Sequence, residues 1–217
     1  ATDRRVIAPD MRCAGRSEKP PVAFSAEDVA DDMARLLDAL DVPQIDVIGS
    51  ALGALIGALL AIRHPARVRR MVICAVSDDL GGATARYLIE RAGKVRQVGM
   101  RGVADASLKN AFPESHAAAR AAYRPLYLAN DPAAYAELSL SLSRLRMGPG
   151  AWGAIRVPTL VASGAHDFLW PAEHGRAVAA MIPGARFVVL PDAGHFPHMQ
   201  SPDALVAMAT AFLDQGE

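Results

Sequence analysis

The fold is decided by the stretch Ile45-Asp46-Val47-Ile48-Gly49-Ser50-Ala51-Leu52-Gly53, which passes from a strand pattern into a helix pattern with no spacer. The apolar start predicts a buried strand. The apolar residues from about Leu52 to His64 predict a helix that packs against a sheet and is covered by other elements. The small residues Gly49 and Gly53 permit a tight, strained turn between the two. We therefore expect Ala51 to lie above the edge of a sheet.

Strand and helix patterns continue to alternate on both sides of this stretch. They predict strands at Val6-Ile7-Ala8, 71–76, 159–163 and 186–190, and helices after Ser25, at 172–181 and at 202–213. Ser25 can cap its helix together with Asp28, three residues on. Strand, helix, strand in this order favours a parallel sheet with right-handed crossovers, and hence an α/β fold.

The middle of the chain has a different character. Helical patterns at 83–98, 116–129 and 133–145 occur there without a convincing strand. A helical insert in such a sheet is commonly a lid over a site, although it can also be a structural excursion only. We predict a first part of the core in residues 1–77, a helical cap or lid in 78–151, and a second part of the core in 152–217.

Composition narrows the class of protein. The chain has 217 residues, enough for one domain with a sizeable core, and its 52% hydrophobic and 21% charged residues are typical of a globular protein. Lys plus Arg equals Asp plus Glu at 23 each, so nothing indicates a nucleic-acid or membrane partner. Two cysteines are too few for a disulfide framework. With no predicted membrane span or signal peptide, we expect a cytoplasmic protein.

Two further polar segments follow late strands. Ser163-Gly164-Ala165-His166-Asp167 follows one strand, and Asp192-Ala193-Gly194-His195-Phe196-Pro197-His198 follows the next. The carboxyl ends of parallel strands meet at the edge where ligands bind. Taken alone, Asp167 is a turn former and His195 a solvated side chain. The chain order of residue 51, Asp167 and His195 is, however, that of nucleophile, acid and histidine in sites with a G-x-S-x-G turn, and it favours a catalytic set.

The central position of the turn departs from the G-x-S-x-G pattern. Ala51 stands where that pattern has serine, and alanine has no group that attacks a carbonyl. Ser50 is one place early, and we expect its side chain to point away from the site. The alternative is a packing turn that needs its glycines but does no chemistry.

The motifs together resemble the α/β-hydrolase superfamily over nearly the whole chain. The segment Val6-Ile7-Ala8-Pro9-Asp10-Met11-Arg12-Cys13-Ala14-Gly15-Arg16-Ser17 looks like its strand and D-x-R-G-x-G-x-S loop. Residues 63–68, the turn at 49–53 and Gly194-His195-Phe196-Pro197-His198 match as well. Within the superfamily, residues 99–105 and 130–135 are similar to 3-oxoadipate enol-lactonases and their relatives.

The resemblance implies an α/β-hydrolase fold, with helices on both faces of a mostly parallel sheet and a helical cap, and a serine hydrolase mechanism without metal or organic cofactor. It assigns residue 51 as nucleophile, His195 as general base and then acid, and Asp167 as the orienting carboxylate. The backbone N–H of Leu52 would form half of the oxyanion hole. The implied substrate is a small carboxylic ester or lactone.

Two departures from the resemblance lead to further expectations. With Ala51 the chain should bind substrate and leave it intact, and we favour an engineered replacement of serine over a natural inactive relative because the other motifs are complete. The early strands and an H-G loop of the superfamily are not seen before Val6, so we expect a missing N-terminal segment or a second chain to complete the sheet. The oligomeric state is open.

Two other functions stay open. One is a ligand-binding pseudoenzyme with the hydrolase fold, in which alanine is native. The other is a cofactor-free carbon–carbon hydrolase or oxygenase that uses only the histidine and the aspartate.

Overall fold

The computed structural model describes residues 4–20 and 23–215. At its centre is a parallel four-stranded sheet in the order β1-β2-β3-β4, made of Ile45–Ser50, Val68–Cys74, Thr159–Gly164 and Arg186–Leu190. The helices are, in chain order, α1 Ala26–Ala39, α2 Leu52–Arg63, α3 Ala83–Ala111, α4 Ala117–Leu128, α5 Pro132–Arg144, α6 Pro149–Trp152, α7 Ala172–Met181, α8 Pro197–Gln200 and α9 Pro202–Leu213. Short 3₁₀ turns precede β2 and α4.

Helices cover both faces of the sheet. Side chains alternate along each strand, so apolar side chains on both faces need a covering layer. In β2, Met71 and Ile73 join the apolar cluster formed with α1, α2 and α7. Val72 and Cys74 point the other way and pack against α9. The predicted α/β fold is confirmed, and the bounds of α7, β4 and α9 coincide with the predicted ones.

A helical segment connects β2 to β3 and contains α3 to α6. Its longest element, α3, bends at Gly99, whose φ of 66° and ψ of −179° interrupt the helix. This backbone conformation is open to glycine and strongly disfavoured for other residues. Helix α5 packs along α3, so the segment has its own apolar contacts beside the sheet. Among the described residues, no helix combines the length and the apolar character needed to cross a membrane.

The helix predicted after Ser25 has the expected N-terminus. The Ser25 hydroxyl accepts a hydrogen bond from the N–H of Asp28, and the Asp28 carboxylate accepts one from the N–H of Ser25. This capping box satisfies N–H groups that have no acceptor within α1.

The strand predicted at Val6-Ile7-Ala8 is wrong for the described chain. These residues form no ladder, and Val6 is 72% exposed. A strand exists only through its hydrogen-bonded neighbour, and β1, the edge strand on that side, pairs with β2 alone among the described residues. The apolar pattern of these three residues is therefore not sufficient to form a strand, because they have no partner among the described residues.

Candidate active site

The turn between β1 and α2 has the strained backbone that its position requires. Ala51 has φ 50° and ψ −117°, outside the regions that L-residues ordinarily occupy. Its N–H donates to the carbonyl oxygen of Cys74 at 2.9 Å, which fixes the turn to the end of the neighbouring strand. Such strain costs about 1–3 kcal/mol and is characteristic of functional sites.

The two glycines of the turn are not equivalent. A β-carbon on Gly49 would lie 2.6 Å from the carbonyl oxygen of Gly53, so no larger residue fits at position 49. At Gly53 a β-carbon would meet no atom within 4 Å. Of the two glycines of the turn, only Gly49 is therefore required for the close approach of strand and helix.

Residues on either side of Ala51 are placed differently. Ser50 is the last residue of β1, and its Oγ is buried without a hydrogen-bond partner among the described residues, so no histidine is bonded to it. Leu52 is the first residue of α2, and its N–H has no acceptor within the helix. A free N–H at the start of a helix is suited to an anionic oxygen.

Asp167 and His195, 28 residues apart in sequence, are hydrogen-bonded to each other. The imidazole Nδ1 lies 2.9 Å from Oδ2 and 3.1 Å from Oδ1 of the carboxylate. Both side chains are buried, with 4% of Asp167 and 6% of His195 exposed. The Nδ1–H thus donates to the carboxylate, and this sets the tautomer in which Nε2 is free to accept a proton.

Backbone donors hold the carboxylate in place. Oδ1 of Asp167 accepts hydrogen bonds from the N–H groups of Leu169 at 3.0 Å and Trp170 at 2.9 Å. The Trp170 ring also meets the imidazole of His195 edge-on, with 5.2 Å between centroids. The acid is therefore oriented by its own loop, which also contributes one wall around the histidine.

The loops after β3 and β4 are joined by their backbones. The N–H of Ala165 donates to the carbonyl oxygen of Leu190, and the N–H of His166 donates to that of Ala193, each at 2.9 Å. These bonds extend the parallel ladder past the ends of the strands. They keep the aspartate loop beside the histidine loop.

Aromatic groups enclose the other side of the imidazole. The Phe196 ring lies 5.1 Å from that of His195 and 5.0 Å from that of Tyr123 in α4. His198 follows in α8, and burial, together with the nearby His195, lowers the pKa of its imidazole below the usual value.

Some residues at the site had no signal in the sequence. Trp170 lies in a loop between two elements, and Gln200 is buried in a four-residue helix where its amide contacts the loop of His195. Gln200 is one of several polar residues in this part of the sequence, and nothing local distinguishes it from them. The described residues contain no group of three or more His, Cys, Asp or Glu side chains that could hold a metal ion.

A strained strand-to-helix turn and a buried histidine–aspartate pair, all following strands at the carboxyl edge of one parallel sheet, define the general layout of a hydrolase with an α/β fold. Comparison with known proteins agrees. The sequence model described as "Alpha/beta hydrolase family" matches residues 1–208. The chain belongs to the α/β-hydrolase family.

Three individual proteins show which members of the family this chain is similar to. The chain is 30% identical over 237 aligned positions to the 2-hydroxymuconate semialdehyde hydrolase of Pseudomonas sp. (strain CF600), covering all of this chain and 79% of the relative. The enol-lactonase from Burkholderia xenovorans LB400 superposes with a TM-score of 0.88 at 30% identity, over 94% of this chain and 79% of that one. A thermophilic esterase from Thermogutta terrifontis, solved with malate bound, gives a TM-score of 0.88 at 27% identity, over 94% and 78%. Within its family, the chain is therefore similar in sequence and in fold to an enol-lactonase and to an esterase.

Proposed function

We propose that this fold is built for the hydrolysis of a small carboxylic ester or lactone and that Ala51 occupies the nucleophile position, so that the chain as it stands binds substrate without turning it over. The observation that carries the proposal is the backbone of Ala51. The backbone angles φ 50° and ψ −117° are strained, and an alanine side chain does no chemistry that would compensate for this strain. A nucleophile at the same position benefits, because the turn places its side chain above the edge of the sheet. The esterase and the enol-lactonase among the similar structures support this substrate class.

The roles of the other residues follow from their geometry. With serine at position 51, its Oγ would attack the carbonyl carbon while Nε2 of His195 takes the proton. Asp167 would stabilise the imidazolium that forms, and the free N–H of Leu52 would donate to the oxyanion. The same imidazolium then protonates the leaving oxygen, and water releases the acyl group by the reverse proton path.

We also propose that the helical segment between β2 and β3 caps this site. Phe112, which follows α3, and Tyr123 of α4 both contact Phe196, the neighbour of His195. The segment therefore reaches the histidine loop and is in a position to shape the pocket for the substrate. The two buried, unpaired cysteines, Cys13 and Cys74, support the expected location in a reducing cytoplasm.

A further strand is proposed along the free edge of β1. On that edge strand Ile48 is 56% exposed, which is unusual for an apolar residue at the centre of a strand. Hydrogen exchange tests this proposal in the protein purified from its native source. The groups to measure are the N–H groups of β1 that point away from β2. Slow exchange supports a covering strand, and exchange at the rate of an open edge contradicts it.

Reversion of Ala51 tests the proposed activity. Ala51→Ser should hydrolyse a small activated aryl ester or a lactone, with a gain on the order of 10⁶-fold over the parent chain. Ala51→Ser combined with Ser50→Ala is the matched control and should keep the activity. A revertant inert towards aryl esters and lactones would contradict the proposal.

A second function is favoured by the alanine itself. A ligand-binding pseudoenzyme needs the pocket and not the nucleophile, and it predicts tight binding by the parent chain with no product formed even after Ala51→Ser. Product analysis in the presence of oxygen separates a third possibility, carbon–carbon cleavage or oxygenation by the His195–Asp167 pair, because that chemistry would proceed with Ala51 in place.

A further inference from the structure

The loop that carries His195 is held by one buried side chain outside the histidine–aspartate pair. Gln200, the last residue of α8, is 8% exposed. Its Oε1 accepts hydrogen bonds from the N–H groups of Gly194 and Phe196, each at 2.9 Å. These are the residues immediately before and after His195.

The two N–H groups need this acceptor. They lie after the end of β4, where the sheet ladder no longer supplies carbonyl partners, and a buried N–H without a partner costs about 1–3 kcal/mol. One amide oxygen has two lone pairs and can accept both bonds. The two donors also fix the orientation of the amide, since its NH₂ group could accept neither.

The other end of the same amide reaches the helical segment. Nε2 of Gln200 donates to the carbonyl oxygen of Ala111, the last residue of α3, at 3.3 Å. Aromatic contacts connect the same two parts of the molecule. The ring centroid of Phe196 lies 5.2 Å from that of Phe112 and 5.0 Å from that of Tyr123. The end of α3 and the loop of His195 therefore share one polar and one aromatic connection.

We propose that Gln200 is a positioning residue. Its amide holds the backbone on both sides of His195 and connects that backbone to the end of α3. The position of the imidazole therefore depends on how the helical segment packs against the loop of His195. The inference rests on the proposed function in one respect, the role of His195 as a base. A substrate that displaces α3 would then move the base as well.

The first test needs no turnover and uses the protein with Ala51 in place. The Nδ1–H of His195, bonded to the Asp167 carboxylate, gives a downfield proton NMR signal. Gln200→Met removes both the acceptor and the donor at nearly constant length, and we expect that signal to be lost. Gln200→Glu keeps an acceptor oxygen for the two N–H groups but cannot donate to Ala111, so its signal should be weaker than that of the parent chain and stronger than that of Gln200→Met.

A distant glutamine supplies the matched control. Nε2 of Gln44 donates to the carbonyl oxygen of Ala66, also at 3.3 Å, and Gln44 directly precedes β1, at the opposite end of that strand from residue 51. Gln44→Met should leave the Nδ1–H signal unchanged, whatever it does to stability. If Gln200→Met does not fold, Gln200→Asn keeps the amide but shortens the side chain by one methylene, and it should lose the signal too.

The second test separates positioning from simple stability in the Ala51→Ser background. Displacing a base by about 1 Å costs on the order of 10²-fold in rate, so Gln200→Met should lower kcat about 10- to 100-fold while KM changes by less than about 3-fold. Gln200→Met that keeps both the NMR signal and kcat, and only lowers Tm as Gln44→Met does, would overturn the proposal. If Ala51→Ser is itself inert, the proposed function fails, and the NMR test still decides the role of Gln200.

Discussion

At the scale of the residue, the backbone of Ala51 is the most informative feature of the chain. We predict that Ala51→Gly leaves the free energy of unfolding unchanged or raises it, because glycine adopts φ 50° without strain. The matched control is Ala207→Gly in α9, an exposed helical position, which should lose about 0.5–1 kcal/mol. Urea denaturation measures both, and an equal loss in the two variants would show that the turn stores no strain.

The carboxylate of Asp167 gives a second prediction at this scale. In the Ala51→Ser background, Asp167→Asn should lower kcat about 10³- to 10⁴-fold, because an amide opposite Nδ1 favours the wrong tautomer of His195. The size is similar, so the N–H groups of Leu169 and Trp170 still have an oxygen acceptor and the fold should persist. Circular dichroism checks the fold, and a kcat within about 10-fold of the single variant contradicts the assigned role.

At the scale of the element, the bend in α3 depends on Gly99. Gly99→Ala should lower the free energy of unfolding by about 1–3 kcal/mol, since φ 66° with ψ −179° is accessible to glycine almost alone. Gly93→Ala in the same helix meets no neighbouring atom within 4 Å and should be neutral or stabilising by about 0.5–1 kcal/mol. Thermal unfolding of the pair checks this, and a Gly99→Ala variant as stable as Gly93→Ala would exclude a fixed bend.

The contact between α1 and the end of α2 makes the free energy of unfolding depend on pH in the acidic range. Hydrogen bonds from Arg63, and then from His64, hold the pKa of the Asp31 carboxyl well below its usual range. Because the folded-state pKa is depressed, the stabilisation is complete above the unfolded-state pKa, about 3.9, and is lost progressively as pH falls from there through the folded-state pKa. Asp31→Asn should therefore cost about 0.5–1 kcal/mol at pH 7 and progressively less as pH falls below about 4.

Chemical denaturation at several pH values measures that difference. The control is Asp41→Asn, which changes an exposed carboxylate just after α1. An Asp31→Asn cost that does not decrease between pH 7 and pH 2 would mean that the ion pairs do not hold the two helices together.

Sequence predicted those elements whose determinants are local. The apolar periodicity of α7, β4 and α9 and the capping box at Ser25 were enough to locate them, because each rests on residues close together in the chain. The strand at Val6-Ile7-Ala8 failed, since strand formation depends on a partner that no local pattern reveals.

The candidate site was predictable to the same extent. Asp167 and His195 were found because motif order signals them, and the structure brings the two together. The sequence did not indicate Gln200. Its amide accepts hydrogen bonds from two backbone N–H groups and donates one to the distant Ala111, and these contacts exist only in the folded chain.

At the scale of the whole molecule, we propose that the ends of three separate strands bring residue 51, Asp167 and His195 together in one reaction centre. The most direct measurement is labelling of the Ala51→Ser variant with a fluorophosphonate, in which the serine oxygen attacks phosphorus and fluoride leaves. We expect a single adduct by intact mass, mapped to residue 51, absent from the parent chain and formed far more slowly when His195→Ala is added. An adduct at another residue, or a labelling rate that His195→Ala does not change, would contradict it.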